Sequence, residues 1–183
     1  RRTKRGSELR VDGTLASALL ADGKGTGPVW DAIALPLSLR AADAPVTVLM
    51  LGLAGGSVVR AAKQFRADAH FVGIEYDKTV VDTAREFLDL DSLGVEIILG
   101  DAREVLRTEK RLFDVVIEDL FLGPAERVHK PEWFLDEGLS LALDDLERIL
   151  GENRLQRFQR AEALASPRGK SDVRETLILW QAS

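Results

Sequence analysis

The chain has 183 residues, 45% hydrophobic and 30% charged, with a formal net charge of -5, which suits one globular domain with a sizeable core. That charge gives no reason to expect a nucleic-acid partner, and the absence of cysteine excludes disulfides, thiol nucleophiles and cysteine-based zinc sites. No apolar run approaches the ~18 residues of a membrane helix and the N-terminus has no apolar signal core, so a cytoplasmic protein with no membrane partner is expected.

Residues 1–10 are basic (Arg1, Arg2, Lys4, Arg5) and read as a solvated tail. Asp12-Gly13 between two strand-like runs predicts a hairpin over Glu8–Leu20, so residues 1–27 form an appendage and 28–183 the main domain. Gly23–Gly27 is a flexible loop. Pro28 opens a helix with Trp30, Ile33, Ala34 and Leu37 on one face, which Pro36 bends or ends.

The organising stretch runs from Val46 to Asp77. Thr47–Leu51 is a buried strand, Gly52-Leu53-Ala54-Gly55-Gly56-Ser57 a glycine-rich turn, and 57–66 a helix with Val58, Val59, Ala62 and Phe65 on one face. The second strand, His70–Ile74, ends in Glu75. In such a βαβ unit the glycines let backbone approach a ligand, the helix N-terminus faces it with free N–H groups, and Glu75 can accept from ribose hydroxyls. The stretch predicts a nucleoside-binding crevice.

Lys78–Leu88 is an amphipathic helix with Val80, Val81, Ala84, Phe87 and Leu88 inward. Leu93–Leu99 is a third strand closed by Gly100-Asp101. Ala102–Arg107 is a helix that Asp101 can cap, and Leu112–Ile117 a fourth strand ending in Glu118-Asp119. Four strands alternating with three helices predict an α/β fold with a Rossmann-like, doubly wound, mostly parallel sheet. Glu75, Asp101 and Glu118/Asp119 then converge at the carboxyl ends of the strands. A further helix is expected over Pro131–Leu150, ended by Gly151.

The dinucleotide pattern G-x-G-x-x-G falls on Gly52, Ala54 and Ser57, so two of its glycines are missing, and there is no G-x-x-x-x-G-K-[ST] loop for a nucleoside triphosphate. An S-adenosyl ligand has no pyrophosphate and presents a ribose diol and an adenine amine to acids after the second and third strands. Glu75 and Asp101 hold those places.

VLMLGLAGGSVVRAA, VGIEYD, VEIILGDAREVL and FDVVIED resemble the successive motifs of class I S-adenosylmethionine-dependent methyltransferases, and more narrowly of their spermidine-synthase-like branch. LRVDGTLASALL and PVWDAIALPLSL resemble that branch's leading hairpin and next helix, so the likeness covers roughly residues 8–135. It implies S-adenosylmethionine, or its decarboxylated form, as cofactor. Gly52, Ala54 and Gly55 would lie along its methionine end, Glu75 on the ribose, Asp101 on the adenine amine and Tyr76 and Ala102 beside the ring, with Glu118 at the fourth strand tip. Asp119 is the implied catalytic residue, orienting or deprotonating the amine or hydroxyl of a small-molecule or protein acceptor. Phe121 is a candidate wall of the acceptor pocket and His129 a second candidate base. Two lone histidines give no metal site, and a homodimer is compatible with the family.

The sequence also departs from the polyamine synthases. Their G-G-G-D-G-G places an Asp where Gly55 stands, their substrate-binding tyrosine and histidine have no counterpart near Pro28–Ala34, and their D-S-S-D-P becomes Glu118-Asp119-Leu120-Phe121. Methyl transfer is therefore the expected reaction, with aminopropyl transfer and a non-catalytic S-adenosyl-binding module as alternatives and a dinucleotide oxidoreductase more distant. The fold would also supply a fifth parallel strand and a helix before a terminal antiparallel hairpin, for which Glu175–Gln181 and the preceding segment stand. Either that unit is lost near residues 151–154 or residues are skipped there. The second alternative is favoured, because losing an interior strand would leave a gap in the sheet.

Overall fold

The computed structural model describes residues 1–23, 25–39, 45–131 and 133, with the backbone of 155–157, 161–162 and 175–181. Three antiparallel strands lead the chain: β1 (Arg2–Thr3), β2 (Gly6–Val11) and β3 (Thr14–Leu20). Asp12 and Gly13 make the β2–β3 turn with φ of 48° and 82°, the left-handed pair a two-residue hairpin requires. The first residues are thus not the solvated tail expected. Arg2–Thr3 pairs with Gly6–Ser7, and the Arg2 guanidinium lies 5.9 Å from the Phe87 ring centroid.

Helix α1 (Pro28–Ala34) tightens into a 3-10 turn over Leu35–Leu39, where Pro36 removes an N–H donor. The parallel sheet follows: β4 (Thr47–Leu51), α2 (Ser57–Lys63), β5 (His70–Glu75), α3 (Lys78–Leu88), β6 (Glu96–Leu99), α4 (Ala102–Thr108) and β7 (Val115–Glu118). β4 is central, in register with β5 through Leu49–Val72 and with β7 through Leu49–Val116, and β6 lies outside β5. Alternate β4 residues face opposite layers. Val48 and Met50 join a core with α2, α3, α1 and the hairpin residues Leu9 and Ala18, whereas Leu49 and Leu51 pack with Leu106 of α4 and Phe113. Buried Arg60 of α2 donates to the carbonyls of Leu88 and Asp89 and so caps the C-terminus of α3.

Several boundaries differ from the sequence expectation. α2 stops at Lys63, which leaves Phe65 partly exposed, and Phe87 faces outward beneath Arg2. The third strand starts at Glu96, because Leu93 belongs to a 3-10 turn ended by Gly94 at φ 60°. The fourth starts at Val115, with Leu112 exposed.

Beyond β7 the helix expected over 131–150 lies outside the described residues, apart from Pro131 and Trp133, and so do residues 151–154. The strands β8 (Leu155–Arg157), β9 (Ala161–Glu162) and β10 (Glu175–Gln181) complete the sheet. β10 runs antiparallel directly beside β7, with Ile178 opposite Ile117, and β8 and β9 both pair with β10. Among the described residues the sheet therefore has no gap next to β7.

Candidate functional site

The carboxyl ends of β4, β5, β6 and β7 open into a cavity of about 600 Å³, within the range of small-molecule sites. Its floor is made by Gly52, Ala54, Glu75, Gly100, Ala102 and Asp119. The β2–β3 hairpin and α1 form the opposite wall, and the loop after β7 covers one side.

Serine hydroxyls hold the hairpin over the glycine turn. Ser17 Oγ accepts from the Gly55 N–H at 2.8 Å, while Ser57 Oγ donates to the Ala18 carbonyl at 3.0 Å and accepts its N–H at 2.9 Å. All of these groups are buried. The remaining turn amides are also used within the protein. Gly52 and Leu53 donate to the Ile74 carbonyl, Ala54 to Glu75 Oε2 at 2.8 Å, and Gly56 to the Leu53 carbonyl. The turn amides 52–56 are therefore all engaged within the protein, and Ser57, Val58 and Val59 at the N-terminus of α2, whose N–H groups are expected to face a ligand, are buried and do not line the cavity. Gly55 is packed against Ser17 and lies outside the cavity wall, since a Cβ there would stand 2.8 Å from that of Ser17. Gly52 (φ +87°) serves close approach in another way: a Cβ would lie 2.7 Å from the Asp119 carbonyl.

Of the remaining candidates, Glu75, Tyr76, Ala102 and Asp119 line the cavity with Gly52 and Ala54. Glu75 Oε1 also accepts from the Asp77 N–H at 3.1 Å, which fixes the carboxylate between the turn and the start of α3. Tyr76 is 77% exposed at the rim. Asp101 caps α4 by accepting the Arg103 N–H at 2.8 Å and does not line the cavity, although its neighbours Gly100 and Ala102 do.

Glu118 departs most from expectation. It is 2% exposed, both of its oxygens lie 2.9 Å from Lys130 Nζ, and it accepts the Leu120 N–H, so it faces an internal ion pair rather than the cavity. Burial pushes its carboxyl up to about 7, against the opposing pull of Lys130 and the Leu120 amide. Lys130 Nζ is also 3.8 Å from the centroid of Phe121, which does line the cavity. His129 stays outside the wall, its Nδ1 3.2 Å from the Arg127 carbonyl, and bridges to Leu122 across the loop. The Ala125 N–H joins that loop to the hairpin at the Asp12 carbonyl.

Thr14, Asp12, Asp77 and Trp30 line the cavity as well, none of them foreseen as site residues. Thr14 Oγ1 is, among the described residues, the one buried side-chain oxygen or nitrogen without a hydrogen-bond partner. The Asp12-Gly13 signal locates the hairpin but not where it docks, since docking depends on the distant pairs Ser17–Gly55 and Ala18–Ser57. In total four acidic residues, Asp12, Glu75, Asp77 and Asp119, and no lysine or arginine among the described residues line the cavity, and the Asp77 carboxylate also caps α3 by accepting the Thr79 N–H at 2.7 Å.

A probable spermidine synthase from Corynebacterium glutamicum superposes with a TM-score of 0.67 at 20% identity, over 84% of this chain and 55% of that one. The chain has the spermidine-synthase-like form of the class I methyltransferase fold. A second spermidine synthase, solved with the transition-state analogue AdoDATO, shares this spermidine-synthase-like fold at a TM-score of 0.50 and 21% identity, over 71% of this chain and 50% of that one. Among curated proteins, the polyamine aminopropyltransferases of Aeropyrum pernix and Synechococcus sp. are 33% and 30% identical over 49% and 52% of this chain. Those matches take in 32% and 34% of the relatives, so the chain spans about a third of their length. No protein-family model matches. Among the described residues no helix is long and apolar enough to cross a membrane.

Proposed function

We propose that this chain is the donor-binding core of a transferase that moves an aminopropyl group from decarboxylated S-adenosylmethionine to an amine. The observation that carries the reading is the charge of the cavity lining: four acidic residues, no cationic one among the described residues, and turn amides 52–56 all engaged elsewhere. S-adenosylmethionine itself ends in a carboxylate, which in a dry site requires a cation or N–H donors. The decarboxylated donor brings a sulfonium and an ammonium instead, and the residues present fit it. The names of the curated relatives, polyamine aminopropyltransferases, support the same choice over the methyl transfer that the sequence alone favoured.

Each oxygen of Glu75 accepts one backbone N–H and keeps a lone pair for a ribose hydroxyl. Gly100 and Ala102 leave room for a flat ring. When bound, the donor supplies a sulfonium-activated carbon, to which the amine nitrogen bonds as the C–S bond breaks and its electron pair returns to sulfur, leaving methylthioadenosine. Asp119 orients the amine and takes the proton it loses. Holding nitrogen and carbon together can supply up to ~7–11 kcal/mol, while Trp30 and Phe121 exclude water.

One observation favours methyl transfer as the second reading. The place of the polyamine synthases' turn Asp is Gly55, and a side chain there would strike Ser17. Product analysis after incubation with each donor and an amine mixture separates the readings. Methylthioadenosine from the decarboxylated donor is the expected product. S-adenosylhomocysteine from S-adenosylmethionine would support methyl transfer, and no product from either would support a non-catalytic binding module.

A further inference from the structure

Resting on the aminopropyl-transfer reading, the wall opposite the donor carries information about the acceptor. That wall is formed by Val11, Leu15, Val29, Trp30, Ile33 and Phe121. Val29 is 45% and Leu122 52% exposed, and both border the cavity, so their apolar surface is left uncovered where a ligand would lie. Among the described residues, the polar groups on this side are few: Asp119 at the strand tip, the unpartnered Thr14 hydroxyl, and Asp12 exposed at the hairpin turn.

A polyamine would lay at least one further ammonium along this surface. Removing such a charge from water without a buried partner costs several kcal/mol. An exposed carboxylate at the rim, such as Asp12, returns only ~0–1 kcal/mol. A methylene chain or ring on the same path instead gains ~0.8 kcal/mol per buried CH₂. We infer that the acceptor is a monoamine with an apolar alkyl or aryl body, its nitrogen held by Asp119 and Thr14 and its body lying on Trp30, Ile33 and Val29. In the transfer this single nitrogen forms the new C–N bond, the C–S electron pair goes to sulfur, and the amine proton goes to Asp119.

The direct test compares n-pentylamine with 1,4-diaminobutane, equal in length but ending in CH₃ or NH₃⁺. Calorimetry on the whole chain with saturating methylthioadenosine reads affinity, and turnover with the decarboxylated donor reads kcat/KM. Pentylamine is expected to bind at least tenfold more tightly and to be the better substrate. In Val29→Glu, whose position is exposed enough to tolerate the charge, that preference should shrink at least tenfold or reverse. Equal or tighter binding of the diamine to the wild type, or binding of neither amine while methylthioadenosine binds, overturns the inference and leaves the donor reading standing. Failure of methylthioadenosine and the decarboxylated donor to bind overturns the donor reading, and the acceptor inference falls with it.

Discussion

The backbone N–H of Ala54 donates to Glu75 Oε2 at 2.8 Å, tying the glycine turn of one strand to the acidic tip of the next. The same carboxylate therefore shapes the turn and faces the cavity. Hydrogen bonds to a charged group are worth ~1.5–3 kcal/mol, so Glu75→Ala should weaken binding of methylthioadenosine or the decarboxylated donor by about 10–150-fold. Isothermal titration measures this, and undiminished affinity would contradict the ribose assignment.

Gly52 and Asp119 make a second such relationship. An alanine at position 52 would combine φ +87° with a Cβ 2.7 Å from the Asp119 carbonyl, so the β4 and β7 ends must part. Left-handed strain costs ~1–3 kcal/mol. Gly52→Ala should lower stability to chemical denaturation by at least that amount and displace Asp119, reducing kcat more than it raises KM for the donor.

The hairpin lid depends on Ser17. Ser17→Ala leaves the buried Gly55 N–H without its acceptor, a loss of ~1–3 kcal/mol. Hydrogen exchange at residues 14–20 should quicken in this variant more than exchange in β4 and β5.

Much of this was legible in the sequence and some of it was not. Thr47–Leu51, Lys78–Leu88 and the Asp12-Gly13 turn stand where apolar period and turn chemistry place them, because those signals are local. Phe65 lies beyond the end of α2 at Lys63, and Phe87 meets the Arg2 guanidinium of a distant strand, a contact that the apolar period of α3 does not reveal. Glu118 and Asp119 are adjacent acids, yet one is buried against Lys130 and the other lines the cavity. Strand alternation turns them to opposite sides, but which one meets a cation depends on the return of the chain twelve residues on.

That burial makes Glu118 a source of pH dependence. Its carboxyl, near 7 in the folded chain against an ordinary 4.5, binds a proton more readily folded than unfolded. Its contribution to stability is thus full below about pH 4.5 and is lost as pH rises towards 7, by about 3 kcal/mol. Denaturation from pH 4.5 to 8 should show this slope, and Glu118→Gln should flatten it. Lys130→Met removes the only cation within ion-pair distance of Glu118 among the described residues, and at pH 8 should cost ~3–5 kcal/mol.

The most direct test is the relative affinity of two donors differing by one carboxylate. An acid-lined cavity with its turn amides already engaged should bind decarboxylated S-adenosylmethionine at least tenfold more tightly than S-adenosylmethionine in side-by-side calorimetry. Tighter binding of the carboxylated donor would contradict the account.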